Sequence, residues 1–283
     1  MNQTISVVIA TLGSESLIET IHSLNKGTVI PNEIIISIPE DNANNITFKL
    51  ESNVKVIHSK NKGQVVQRCY GFSKTNSEFV LQLDDDVILA ENCIEELIKT
   101  MQLLPKNSSV APQLYLLNSG KFAYRIPTAR DLYLGYWANG KNGYQPGKVS
   151  KSGINFGFKE LNTFEAQEVD WLPGGCVLHR RENLILENYY PFKGKAFAED
   201  LFHCMSLKRN GIQFFISPNS KIFFDWSHSD ISSVWEDLVI FLKTSRALLK
   251  YAIEDNKNKV MLFFYLINYV LSAPFKNLFE KFK

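Results

Sequence analysis

The sequence predicts an α/β fold, with a mostly parallel, twisted sheet flanked by helices and a helical carboxy-terminal extension. Three observations carry this expectation. Short β-branched runs alternate with segments of helical period, an acidic triplet closes one of the apolar runs, and a long apolar-striped segment appears near the end. Residues 5–10 form the first strand, and after Thr11-Leu12-Gly13 the positions Leu17, Ile18, Ile21 and Leu24 recur at helical spacing. Further strands are expected at 33–38 and 54–58, and Asn61-Lys62-Gly63 opens a helix over 65–73. The run 78–83 reads as a buried strand closed by Asp84-Asp85-Asp86, and Ile94, Leu97, Ile98, Met101 and Leu104 stripe a helix ended by Pro105. Between 118 and 168 glycines interleave with aromatics, including Tyr133, Tyr136, Trp137 and Tyr144, and no regular element is assigned. Order returns at 168–178. A helix over 198–210 stops at Gly211, two short strands occupy 213–216 and 221–224, and Val234, Leu238, Phe241, Leu242, Leu248 and Leu249 mark a long amphipathic helix.

Composition narrows the class. With 283 residues and 45% apolar side chains the chain can bury a substantial core. Lys and Arg number 31 against 29 Asp and Glu, so broad electrostatic attraction gives no case for a nucleic-acid partner. Cys69, Cys93, Cys176 and Cys204 show no paired spacing and read as reduced core residues of a cytosolic protein. The first residues lack the basic stretch and longer apolar run of a signal peptide, so a cytoplasmic location is expected.

The acidic triplet carries the chemistry. Side chains alternate along an extended chain, so Asp84 and Asp86 share a face and Asp85 points elsewhere. Like charges so close repel unless protonated or bridged, and carboxylate oxygens suit Mg²⁺ or Mn²⁺ carrying a diphosphate. The bland alternative is a solvated acidic turn at a strand end.

Four features in order resemble the inverting family 2 glycosyltransferases of the bacterial surface polysaccharide type, which have a GT-A fold. They are Val7-Val8-Ile9-Ala10-Thr11; Asn61-Lys62-Gly63 with Arg68 and Leu83-Asp84-Asp85-Asp86-Val87; Trp171-Leu172-Pro173-Gly174-Gly175 leading to Arg180-Arg181; and Glu199-Asp200 opening a helix that ends Lys208-Arg209-Asn210-Gly211, with His228 beyond. The resemblance implies a GT-A-like catalytic domain over 1–230, with a nucleotide-binding half at about 1–117 and an acceptor half at about 118–230, and an extension over 231–283. It implies a divalent cation, Mn²⁺ or Mg²⁺, on Asp86 and His228. It implies donor contacts from Thr11, Asp84 and Asp85, and from Glu40 and Asp41, which follow the second strand where the family reads the base. Arg68 would orient the aspartates or approach the diphosphate. Asp200 would be the general base that deprotonates the acceptor hydroxyl, with Trp171, Gly174, Gly175, Glu199 and His203 around it. Read without the resemblance, Glu199 and Asp200 compensate a helix dipole, and His228 is a structural histidine. The expected partners are a nucleotide diphosphate sugar and a saccharide or lipid-linked glycan. The aromatic, glycine-rich stretch suits sugar stacking and a pinned surface excursion alike. Two rivals share parts of the pattern: a sugar nucleotidyltransferase, although Thr11-Leu12-Gly13-Ser14-Glu15 lacks a basic glycine-rich loop, and a non-catalytic saccharide-binding subunit.

The tail poses a membrane question. Residues 260–275 are apolar, with Lys257 and Lys259 before and Lys276, Lys281 and Lys283 after. Sixteen residues are short for a span. A peripheral helix on the inner face of the cytoplasmic membrane, formed within 257–283, weighs equally with a helix packed on the catalytic domain or on a second subunit of a homo-oligomer.

Overall fold

A computed structural model describes residues 3–225 and 234–273. The chain divides into two compact units, Met1–Ala123 with Leu161–His228 and Tyr124–Glu160 with Ser229–Lys283.

The first unit begins as the sequence predicts. Strand β1 (Ile5–Ala10) leads to helix α1 (Leu17–Asn25), β2 (Glu33–Pro39) and β3 (Val54–Ser59), then α2 (Gln64–Phe72) and β4 (Phe79–Leu83). These four strands pair in parallel, in the order β3-β2-β1-β4. Alternation along them sorts the core. Val7, Ile9, Leu81 and Leu83 pack with Leu17, Ile21 and Leu24 on one face, and Val8, Ile35 and Val80 pack with Phe72 on the other. Each such side chain contributes on the order of 1.5–3 kcal/mol by leaving water.

Beyond β4 the sheet becomes mixed, which refines the expectation of a mostly parallel sheet. Strand β5 (Val87–Leu89) and helix α3 (Cys93–Leu103) are followed by β6 (Ser108–Leu116), and later by β7 (Gln167–Val169), β8 (Cys176–Arg180), helix α5 (Glu199–Arg209) and β9 (Gln213–Phe224). Strand β8 runs antiparallel to β4 and β6, while β6 and β9 are parallel. Strands β5 and β7 each pair antiparallel with β9. Strand β8 follows β7 through the loop 170–175 and β5 follows β4 through the acidic triplet, neither with a crossover helix to fix its direction, so antiparallel pairing is open to both. The two short strands expected at 213–216 and 221–224 are one strand of twelve residues. Its pairing slips between Ala111 and Gln113, where Pro112 cannot donate a ladder bond, and the Gln113 amide donates to the Pro218 carbonyl at 2.7 Å. The same proline hides β6 from a reading of the sequence, since proline inside an apolar run argues against a strand.

The second unit contains helix α4 (Ala129–Asn139), α6 (Val234–Glu254) and α7 (Lys259–Leu271). Helix α4 lies in the stretch to which the sequence assigns no element. Thr128 and Asp131 cap it reciprocally, but Leu132, Tyr133 and Tyr136 are exposed, so its apolar residues trace no buried stripe. Arg130 of α4 donates to Ser272 Oγ at 3.0 Å and to the Tyr269 carbonyl at 3.1 Å. The segment 124–160, which the sequence places in an acceptor half, therefore belongs with the carboxy-terminal helices. Among the described residues no helix is long and apolar enough to cross a membrane.

Gly71 tests how tightly α2 sits on β1. An added Cβ would lie 2.4 Å from Val8 Cγ1. Gly71→Ala is expected to lower stability by about 1–3 kcal/mol despite alanine's better helix propensity, read as a denaturant midpoint.

Candidate active site

The carboxyl ends of β1 and β4 border a cleft of about 720 Å³ lined by Thr11, Gln64, Asp84, Asp85 and Asp86. Its rim is built by hydrogen bonds between loops. The Gln67 amide donates to the Thr11 carbonyl at 2.8 Å and the Ser37 carbonyl at 2.9 Å, joining the ends of β1 and β2. Asp85 accepts from the Thr11 hydroxyl and from Ser14 Oγ at 2.7 Å, and its backbone carbonyl accepts from Thr20 Oγ1 at 3.0 Å. These bonds occupy Asp85 in fastening the first loop to the cleft floor. Asp86 opens to solvent at the cleft, yet the protein around it removes part of its carboxyl's solvation and, with Asp85, raises it above the ordinary range.

Asp84 points inward. Its Oδ1 accepts from Arg68 Nη2 at 2.9 Å and Gln64 Nε2 at 3.1 Å. Arg68, on α2, is fully buried, and its other terminal nitrogen donates to Glu199 Oε1 at 3.0 Å. The Tyr189 hydroxyl donates to that same oxygen. Burial works against the guanidinium charge, but Glu199 and Asp84 more than offset it and hold Arg68 protonated. Arg68 thus orients two carboxylates and has no surface left with which to meet a diphosphate. The Asp84 side chain keeps 29% of its surface open, yet loss of solvation pushes its carboxyl up to about 6, with Arg68 opposing and Asp86 adding.

Two glycines join this cluster to Asp200. The Gly174 N–H donates to Asp200 Oδ1 at 2.9 Å, its carbonyl accepts from Gln82 Nε2 at 2.6 Å, and the Asp84 N–H donates to the Gly175 carbonyl at 2.9 Å. The segment is anchored by buried Trp171 and by Leu172, whose N–H donates to Cys204 Sγ of α5. Asp200 stands in the first turn of α5, after Ala198, which adopts a left-handed conformation at φ 55°. An alanine there is uncommon and costs on the order of 1 kcal/mol. Burial and Glu199 push the Asp200 carboxyl up to about 8, against the Gly174 N–H bond. His203 meets the network from the other side. It stacks on Tyr189 with centroids 4.9 Å apart, and burial and Arg68 push it down to about 3, so it is neutral.

The structure therefore brings together Arg68, Asp84, Gly174, Gly175, Glu199 and Asp200, with Thr11, Asp85 and Asp86 along the adjoining rim. Glu40 and Asp41 are exposed in a short 3₁₀ turn, Glu40–Asn45, and do not line the cleft. His228 lies outside the described residues, and among those described no group of three His, Cys, Asp or Glu is arranged to hold a metal. Gln64, Gln82 and Tyr189 are further members of the network. Gln82 had a signal, as the one polar residue inside the apolar run Phe79–Leu83.

A Cβ on Gly174 would fall 2.6 Å from Asp200 Oδ1 and 3.1 Å from Glu199 Oε2, whereas one on Gly175 would meet Asp84 Oδ2 at an ordinary 3.5 Å. Gly174→Ala is expected to cost at least roughly tenfold in kcat and to lower Tm. Gly175→Ala is expected to be milder on both counts.

The family model described as glycosyl transferase family 2 matches residues 6–162. No curated protein matches the chain. Among solved structures, GalNAc-T7 with UDP, GalNAc and Mn²⁺ superposes with a TM-score of 0.57 at 18% identity, over 95% of this chain and 58% of that one. TarS 1-349 of S. aureus gives 0.53 at 15% identity, over 95% and 71%. The chain spans less than two thirds of the GalNAc-T7 chain, and both likenesses are of fold. A mixed sheet flanked by helices, aspartates at the carboxyl end of a central strand and a family match over more than half the length converge: the chain belongs to glycosyl transferase family 2, with a GT-A fold.

Proposed function

We propose that the protein is a metal-dependent, inverting glycosyltransferase that moves a sugar from a nucleotide diphosphate sugar to a saccharide or lipid-linked saccharide acceptor, in bacterial surface polysaccharide assembly. The observation that carries this reading is the bridge of Gly174 and Gly175 between Asp200 and Asp84 at the cleft. Inversion by single displacement needs a base on the face opposite the leaving diphosphate. Asp200 suits it, because a carboxyl near 8 can take a proton from an attacking alcohol and still be ionised in a useful fraction at neutral pH. Glu199, fixed by Arg68 and Tyr189, supplies the neighbouring negative charge that raises Asp200.

The donor set supports a divalent cation. Arg68 and Gln64 both take Oδ1 of Asp84, leaving Oδ2, and Asp86 opens to the cleft, so two hard oxygen donors remain for an ion whose other ligands are diphosphate oxygens. Such an ion, when bound, neutralises the leaving diphosphate. GalNAc-T7 was crystallised with UDP and Mn²⁺, which supports the same pair here.

Helix α7 supports contact with a membrane surface. Val260 and Phe263 are 65% and 60% exposed, and Phe264, Ile267, Val270 and Leu271 continue the exposed stripe at helical spacing. The second unit carries 14 Lys and Arg against eight Asp and Glu in the sequence, a net +6, which suits an anionic leaflet.

Asp200→Asn is expected to keep UDP–Mn²⁺ affinity within about twofold and to lose transfer by roughly 10²–10⁴-fold. Wild-type kcat should rise with pH through about 8. The stability effect has the opposite sign. Folding raises the Asp200 carboxyl, so between the ordinary 3.8 and about 8 the folded state keeps a proton that the unfolded chain releases, and stability falls as pH rises. The Tm of Asp200→Asn relative to wild type should therefore be higher at pH 9 than at pH 4. Undiminished turnover by this variant would remove Asp200 as the base. For the membrane contact, co-sedimentation with vesicles of phosphatidylcholine and phosphatidylglycerol should exceed that with phosphatidylcholine alone and should be lost in Phe263→Glu. Equal recovery with both vesicles would overturn it.

A further inference from the structure

A second cavity, of about 370 Å³, adjoins the cleft. The two share Lys62, Gly63 and Gln64 at the start of α2, and Gly194 and Ala196 of the loop before α5. The remaining walls include Asn61, Asn188, Tyr190, Phe192 and Lys193. Its chemistry departs from that of the cleft. Among the described residues no Asp or Glu lines it while the exposed Lys62 and Lys193 do, whereas in its neighbour Lys62 and Lys195 stand with three aspartates. Nor do the lysines reflect a basic surrounding. The first unit has 17 Lys and Arg against 21 Asp and Glu in the sequence, a net −4, so a cation pair without acidic partners is a local reversal of sign.

The aromatic part of the wall is fixed in place. The Tyr190 hydroxyl donates to the Phe197 carbonyl at 2.8 Å, its N–H donates to Asn188 Oδ1 at 3.0 Å, and its ring meets Phe192 and Phe202 edge to face at 5.6 and 5.4 Å. Phe192 is half-buried. A concave site with an aromatic side, three amide side chains and two lysines has the make-up of a site for a polar ring carrying a charge. The same loop continues through Ala198 into Glu199 and Asp200, so the wall of this cavity runs along the chain to the proposed base.

We infer that this cavity is an acceptor subsite for a sugar residue bearing an anionic group, phosphate or carboxylate; the inference rests on the glycosyl-transfer reading above. The donor's diphosphate belongs with the aspartates and their cation, since without a cation those carboxylates repel it. The lysines offer an anionic acceptor its own charge partners on the adjoining side, with Gly63 and Gln64 as the shared partition.

The test is a ¹H–¹⁵N titration of the full chain with glucose 6-phosphate, glucuronate and glucose, and separately with UDP–Mn²⁺. Either anionic sugar is expected to shift the Asn188, Tyr190 and Phe192 amides, which line this cavity and not the cleft, and the tighter of the two identifies the anion as phosphate or carboxylate. Half-saturation should weaken about fivefold when salt rises from about 50 to 300 mM, and by a similar factor in Lys193→Glu, with glucose at least about tenfold weaker. UDP–Mn²⁺ should shift or broaden the Thr11 and Asp85 amides alike in wild type and Lys193→Glu, whose exposed position leaves the fold intact, as a melt checks. If UDP–Mn²⁺ binds but the anionic sugars leave Asn188 and Phe192 unmoved, shift only the cleft, or bind no better than glucose, the subsite is wrong and the transfer reading stands. If UDP–Mn²⁺ itself fails to bind, the transfer reading falls first.

Discussion

The guanidinium of Arg68, enclosed by protein, sits between Asp84 at the end of β4 and Glu199 at the start of α5, residues 115 positions apart in the chain. Nearly everything at the cleft depends on that arrangement. Taking an arginine out of water is expensive, and only excellent geometry with two carboxylates compensates for it. Removing the cation would leave Asp84, Glu199 and Asp200 facing one another without relief, and they would take up protons or move apart. The pair of bonds therefore does two things. It fixes where the two elements meet, and it holds the Glu199 carboxyl beside Asp200.

The site is an accumulation of negative charge held by one interior cation. The carboxyls of Asp84, Asp86 and Asp200 all lie above their ordinary range, with burial as the leading cause in each. Such a cluster is destabilising to the empty protein, and proteins accept this where the strain serves binding or proton transfer. Tyr189 and His203 show how the strain is contained: the phenol hydrogen-bonds Glu199, and a neutral imidazole lies flat against the phenol. A charged histidine at that place would compete with Arg68.

The amino-terminal half was legible because β1, β2 and β4 are buried on both faces, β3 keeps its β-branched run at the sheet edge and the helices show clean 3.6-residue stripes, so β1 to β4 and α1 to α3 follow from pattern alone. Asp84, Asp86 and Asp200 were legible because acidic residues closing a strand or opening a helix stand out against apolar neighbours. What the pattern lacks is pairing between distant residues. Nothing local says that Arg68 meets Glu199, and an arginine on a short helix reads first as a surface residue. Proline concealed β6, and the exposed aromatics of α4 concealed a helix whose apolar residues do not face a core. Glu40 and Asp41 follow β2, where the family resemblance puts a base contact, and only the 3₁₀ turn Glu40–Asn45, which no local pattern announces, tells that both are exposed outside the cleft lining.

Strand β9 also shapes the acidic triplet. Its end pairs with β5, which begins one residue after Asp86, while β4, which ends one residue before Asp84, is held in the sheet by β1 and β8. The three aspartates thus span a gap between two anchored strands and have little freedom to rearrange. For the proposed cation and its phosphates this would mean oxygens already in position, the ordering entropy that a flexible loop would subtract from affinity having been lost when the sheet formed.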